Sequence, residues 1–267
     1  MEIKKALDTP VNSYGVLAIQ QLQQAVNRGV VVVPEEEPIP VGSYQPASID
    51  LRLGNVAYRL RSSFLPGPAN EVATKLHDHV IDVVPLDGKH GAVLETNRPY
   101  LIPIIEGLRL PEGVKARANP KSSTGRLDIF TRIITDFSSR FDEIRPGYAG
   151  PLFVEVITRS FTVRLRKGLT LNQVRLIVED PEVRGLELSG ENSVRASELH
   201  RSVNTAVIFD NNLPLSVQQI ENLGGAFLRV DLAGSSAEPG GEPDEVVGYR
   251  ARRDSGLVDL TDPERND

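Results

Sequence analysis

Apolar residues recur at helical spacing only near the start of the chain. In NSYGVLAIQQLQQAVNRG (12–29), Leu17, Ile19, Leu22 and Val26 keep to one face at three- to four-residue spacing, Ser13 can cap the start and Gly29 can end it, which predicts one helix. From there the period drops to two. VVVPEEEPIP, ASIDLRLGNVAYRLR, HVIDVVPL, AVLETNRPYLIPII, VKARANP, FVEVITR, FTVRLRKG and NQVRLIVED are short runs rich in β-branched residues, several of them alternating, with Pro, Gly or Asn between them. Strands this short, separated by turns about every ten residues, predict a mainly β fold: an antiparallel sandwich or jelly-roll barrel with a short N-terminal helix. The one later helical pattern is LPLSVQQIENLGG at 213–225. AGSSAEPGGEPDE (233–245) reads as a linker or an exposed hairpin loop. The sequence around it, FLRVDLAG and VVGYRARRDSG, has a weak echo in SIDLRLGNVAYRLRSS near the start. We therefore expect a barrel domain over 1–200 and the opening of a second, incomplete copy over 201–267. A unit of about 65 residues with so little apolar sequence has to lie against the first.

Composition narrows the partners. The chain has 267 residues, 40% of them apolar, and a formal net charge of −6, so no global field favours nucleic acid or an anionic membrane. Any anion has to be captured by a local cluster of positive charge. The absence of cysteine excludes disulfides, thiolate nucleophiles and Cys-ligated zinc. The first residues, MEIKKALDTPVNSYG, do not have the form of a signal peptide, and no apolar run approaches the roughly 20 residues of a membrane span, so a cytoplasmic protein is expected.

Such a local cluster exists. ANPKSSTGRLDIF (118–130) places Lys121, Ser122, Ser123, Thr124, Gly125 and Arg126 in succession. Hydroxyls, an ammonium, a guanidinium and a glycine that admits close backbone approach suit phosphate oxygens. A solvated hairpin turn has the same composition. Further on, RPGYAG leads into LFVEVI, where alternation puts Phe153 and Glu155 on one face and Val154 on the other. A carboxylate among Phe, Val and Ile either points to water from a half-exposed strand or faces a pocket, where burial favours its protonated form and suits it to carry a proton. His77 and His79, in HDH, lack a third ligand of the usual pattern and read as a polar loop.

Taken together, QPASIDLRLGN, KSSTGRLDIF, PGYAG followed by Glu155, and RKGLTLNQVRL resemble the dCTP deaminase/dUTPase family, the dCTP deaminase branch in particular, over roughly residues 15–180. The order and spacing of these motifs carry the resemblance. It implies a dUTPase-like antiparallel barrel and zinc-free hydrolytic deamination of dCTP to dUTP and ammonia, in dUTP/dUMP biosynthesis. In that scheme Glu155 is the general base and then acid, while Ser122 and Arg126 hold the water and steady charge at the tetrahedral centre. Lys121, Ser122, Ser123, Thr124, Gly125 and Arg126 grip a triphosphate that carries Mg²⁺, and Phe153 and Val154 offer backbone groups to the base. Relatives in the family are trimers with sites between subunits, and a longer subgroup carries two copies of the fold. The chain departs from the pattern at Arg145, where an acidic residue is usual; at Phe141, where a small one is; at Lys121, which replaces an arginine; and in the longer stretch over 128–142. A dUTP diphosphatase and a non-catalytic nucleotide-binding copy of the fold are the alternatives these departures leave open.

Overall fold

The computed structural model describes residues 14–179, 209–210, 213–214 and 256–262. The chain divides into two compact units, Met1–Pro181 with Arg253–Asp267, and Glu182–Arg252. In chain order the strands of the first unit are β1 (Gly15–Val16), β2 (Val31–Val32), β3 (Tyr44–Gln45), β4 (Ser48–Arg52), β5 (Val56–Leu60), β6 (Val80–Pro85), β7 (Ala92–Leu94), β8 (Pro99–Arg109), β9 (Val114–Pro120), β10 (Ile129–Thr135), β11 (Glu143–Ile144), β12 (Ala149–Thr158), β13 (Val163–Leu165) and β14 (Thr170–Val178). In the second unit β15 (Phe209–Asp210) pairs with β16 (Leu213–Pro214), and the first unit resumes with β17 (Val258–Asp259).

One sheet of the first unit has the order β11-β9-β14-β4-β3, with β1 also on β14. The second runs β10-β12-β8-β5-β6, with β2 also on β8. A smaller sheet, β17-β13-β7, has its parallel pair between β13 and β17; the ladders of the other two are antiparallel. The mainly β, antiparallel expectation is therefore met. The inward residues of both large sheets meet in one core, Ile49, Leu51, Ile102, Ile133, Val154 and Val174 among them. Period-two alternation produces this: Leu152, Val154 and Val156 are fully buried on the inner face of β12.

The first helix is shorter than the sequence pattern predicts. Gly15 and Val16 pair with Val178 and Ile177, so helix α1 covers only Ile19–Asn27. Its entry is held by Gln21, whose Oε1 accepts the Ala18 N–H at 2.9 Å, and it ends at Gly29 with φ +71°. Ser13, the expected cap, lies outside the described residues. A helix the pattern does not announce, α2 (Val72–His79), interrupts the sheet connections, its first N–H donated to Asp136 Oδ1 at 2.7 Å. His77 and His79 thus close a helix rather than a loop, and the His79 ring stacks on Phe64 at 4.5 Å. Of the expected helix at 213–225, Leu213–Pro214 form β16 and the remainder lies outside the described residues. Of the span 201–267 expected to open a second copy, the described residues 256–262 belong to the first unit.

The ASIDLRLG stretch is a structural hub. Asp50 is tied to Lys121, and Arg52 donates through Nε to Glu106 Oε1 at 2.5 Å while its backbone N–H reaches Glu106 Oε2 at 2.8 Å. Glu106 is fully buried, and the remaining Arg52 nitrogens bond the Pro38 and Glu37 carbonyls, so every charge in this interior pair has a partner. A register shift between Pro151 and Phe153 of β12 falls opposite the stretch of β8 that carries Glu106. Gly54 lets the backbones meet: a Cβ there would lie 2.7 Å from the Pro103 carbonyl oxygen. RPGYAG works similarly. Gly147 takes φ +70°, Tyr148 is buried with its hydroxyl donating to the Pro151 carbonyl at 2.6 Å, and Gly150 leaves room for that hydroxyl. Burial pushes the Tyr148 phenol up, so it stays a hydrogen-bond donor.

Candidate functional site

Glu155 lies on the outer face of the second sheet, opposite Leu101 of β8 and Arg132 of β10. An outer-face residue is ordinarily wet, yet Glu155 is 0% exposed. The reason is a second apolar cluster, Leu60, Phe64, Val72, Leu101 and Ile134, against which α2 residue Leu76 and the rings of Phe141 and Phe153 pack. The half-exposed alternative for this carboxylate is thereby excluded.

Its charge is met by Arg132. Nη2 and Nε donate to the same oxygen, Oε1, at 2.5 and 3.1 Å, and Nη2 also reaches Ser63 Oγ at 3.0 Å. The guanidinium lies 3.7 Å over the Phe141 ring and 4.9 Å from the Phe130 centroid. Oε2 of Glu155 is buried with no partner. A buried carboxylate oxygen in that state is a vacant acceptor, since a group of this polarity is costly to leave unmatched.

Beside this pair opens a cleft of about 690 Å³ lined by Gly125, Phe130, Arg132, Asp142, Ile157 and Arg159, among others. Glu155 does not line it; Arg132 does, and stands between the two. Asp142 holds φ +62°, and its Oδ1 accepts the Ile133 N–H at 2.7 Å. Burial pushes its carboxyl up, against that hydrogen bond and the Arg132 and Arg117 cations, which pull it down. Arg132 is a residue that sequence reasoning missed. The available signal was Glu155 itself: a carboxylate on an apolar face needs a cation across the ladder, and IFTRIIT supplies one.

The Lys121–Arg126 segment is neither a hairpin turn nor an open loop. After β9 ends at Pro120, the Lys121 N–H and the Thr124 hydroxyl both donate to the Leu171 carbonyl at 2.9 Å, and Ser122–Arg126 wind into the short helix α3. Thr124 is therefore buried with its hydroxyl in use, which removes it from the ligand-facing set. Lys121 Nζ contacts Asp50 Oδ2 and donates to Thr170 Oγ1 at 2.9 Å. Ser122, Ser123, Gly125 and Arg126 remain exposed. Ser122 and Ser123 line a cleft of about 400 Å³ with Asp50, Lys121, Gln173 and Arg175.

Within one chain the two halves stay apart. Ser122 and Ser123 share a cleft with the first sheet, Glu155 is beneath Arg132 on the outer face of the second, and only Gly125 of the segment reaches the Arg132 cleft. Phe153 and Val154 lie in the interior of β12, paired on both flanks, so their backbone groups belong to the ladders and only the Phe153 ring faces Glu155's side. Among the described residues no group of three or more His, Asp or Glu converges as a metal cage, and no helix is long and apolar enough to cross a membrane.

The chain is similar to known proteins. The chain is 26% identical over 187 residues to a dCTP deaminase, dUMP-forming, of Nanoarchaeum equitans, covering 64% of this chain and 88% of that one. It is 30% identical over 145 residues to a protein of the same description from Parafrankia sp., covering 52% and 66%. A crystal structure of 2'-deoxycytidine 5'-triphosphate deaminase from Agrobacterium tumefaciens matches with a TM-score of 0.60 and 40% identity, covering 74% of this chain. The chain spans only 56% of the length of that larger one. Residues 13–180, which contain both clefts and Glu155, match the family described as the 2'-deoxycytidine 5'-triphosphate deaminase (DCD) N-terminal domain, and the chain belongs to that family.

Proposed function

We propose that this chain carries out hydrolytic deamination of dCTP, with Glu155 as the proton carrier. The observation that supports it most is the state of that carboxylate: fully buried, fixed through Oε1 by Arg132, with Oε2 lacking any partner. In the reaction a water oxygen adds to C4 of the cytosine. Glu155 takes a proton from the water and passes it to N3, then takes the proton of the new C4 hydroxyl and gives it to N4 as the C4–N4 bond breaks, so dCTP and water become dUTP and ammonia. A preorganised, dry carboxylate performs this without metal-bound hydroxide. To reach Oε2 from the Phe130 cleft, the base has to move the Arg132 guanidinium aside, and Phe141 then offers the ring on which that guanidinium now lies.

Ser122, Ser123, Arg126 and Lys121 hold the triphosphate, and Ser122 and Arg126 steady the charge at C4. Since one chain keeps them away from Glu155, they serve the nucleotide of a neighbouring copy, in a trimer or in a pseudo-trimer of tandem copies. Magnesium arrives on the triphosphate and neutralises its oxygens; Ser122, Ser123 and the unpartnered Asp50 Oδ1 are the oxygen donors available nearby. Thr124 has a structural part only.

Purified protein with Mg²⁺ is expected to release ammonia from dCTP, and Glu155→Gln to remove turnover while nucleotide binding persists. Turnover that survives this substitution overturns the assignment. Pyrophosphate measured in the same assay addresses a second reading, dUMP formation, which the relatives' descriptions favour. Arg145, where the family keeps an acidic residue, counts against it. Binding of dCTP with neither product would identify a non-catalytic copy.

A further inference from the structure

A third cleft, of about 800 Å³, opens on the outer face of the first sheet, away from Glu155. Its walls carry Lys115, Arg117, Phe137, Ser138, Arg140 and Arg145, with the carboxylates Asp136 and Glu143 also present. Those carboxylates have other duties: Asp136 accepts the first N–H of α2, and Glu143 is paired with Arg140 at 2.9 Å. Lys115 is likewise paired, with Glu179 at 3.2 Å. Arg117 and Arg145 take part in no ion pair among the described residues.

On β9, Arg117 stands between Glu143 of β11 and Arg175 of β14, but both neighbours are engaged, Glu143 with Arg140 and the Arg175 guanidinium with Asn119 beside the Ser122–Ser123 cleft. Arg117 and Arg145 are left as exposed cations that a bound anion can neutralise. Next to them Phe137 holds φ +57°, an outlier for a bulky residue, and is 37% exposed with Arg145 5.9 Å over its ring. A strained backbone that turns an aromatic ring outward beside two unpaired guanidiniums makes a platform for a flat, charged ligand.

We propose that this cleft binds a nucleoside oligophosphate at a site separate from the Lys121–Arg126 segment. The phosphates lie toward Arg117 and Arg145, and the ring stacks on Phe137. This holds whether or not the chain deaminates dCTP.

The test is calorimetric titration of the full chain carrying Ser122→Ala, Ser123→Ala and Arg126→Ala, which silences the other phosphate site, with ATP and inorganic triphosphate as probes. ATP is expected to bind more tightly than triphosphate. Adding Arg117→Ala and Arg145→Ala, both on exposed side chains, should weaken both probes by about tenfold or more. Phe137→Asn, which tolerates the positive φ, should bring ATP down to the level of triphosphate. Unchanged binding in the arginine variant overturns the site, and so does a single-stranded oligonucleotide that binds more tightly than ATP. Ammonia release from the wild-type chain is measured separately, so failure of the deaminase reading leaves this titration intact.

Discussion

At the scale of single residues, the candidate site is organised around two carboxyl groups on either side of one guanidinium. Glu155 gives Arg132 one oxygen and keeps the other free, while Asp142 feels the same cation from the cleft wall. Asp142 also has a testable signature in stability. Its carboxyl is raised above the ordinary value of 3.8 by burial, so the folded protein binds its proton more readily than the unfolded chain does. The stability this group contributes is complete below 3.8 and declines as pH rises toward the raised folded value. Asp142→Asn keeps an acceptor for the Ile133 N–H and tolerates φ +62°, but has nothing to titrate. Urea melts over a pH series should therefore show the difference in stability, wild type minus variant, falling as pH rises from 3.8 and then levelling. A difference that rises with pH contradicts the environment assigned to Asp142.

Single elements reveal how much the sequence could disclose. The alternation of Phe153, Val154 and Glu155 correctly gave their faces, because a strand has a fixed period of two. What alternation cannot give is the layer laid over the outer face, since the cluster around Phe64, Val72 and Leu76 joins residues far apart in the chain from Ile134 and Phe153. Glu155 is therefore ambiguous until α2 is in place, and nothing in the local pattern distinguishes Arg132 from an ordinary outward cation. Helix α2 itself is eight residues with an N-terminus held by Asp136 from a distant loop, a stabilisation no local pattern contains. The family motifs were easier to find than to interpret. In ASIDLRLG the glycine is a contact residue: it allows the β4–β5 connection to approach β8, with its N–H donated to the Pro103 carbonyl at 2.7 Å. Gly54→Ala drives a methyl group into that backbone oxygen, which no side-chain rotation can relieve. We expect a loss of about 1–3 kcal/mol, read as a lower denaturant midpoint with an unchanged m value. A variant as stable as the wild type shows that the two backbones can separate at this point.

On the scale of the whole molecule, the Lys121–Arg126 segment and the buried Glu155 belong to different sheets, so the proposed function makes each chain contribute to two sites. Ser122 and Ser123 line one cleft, and Arg132 with Asp142 lines another; under the proposed function a nucleotide spanning a phosphate grip and a proton carrier lies between copies. That arrangement makes a prediction which activity in a single variant cannot. Glu155→Gln spoils the base end of every site to which a chain contributes its glutamate, and Arg126→Ala spoils the phosphate end of every site to which it contributes its arginine. Each variant alone is inactive. When the two are unfolded together in equal amounts and refolded, a site is whole wherever an Arg126→Ala chain supplies Glu155 and its Glu155→Gln neighbour supplies Arg126. With random association this occurs in about a quarter of sites. Ammonia release from dCTP should therefore return to about a quarter of the wild-type level in the mixture, while each variant refolded by itself stays silent. A mixture as inactive as its components would mean that both ends of the site come from one chain, and the separation seen here would then have to close within the subunit during the reaction.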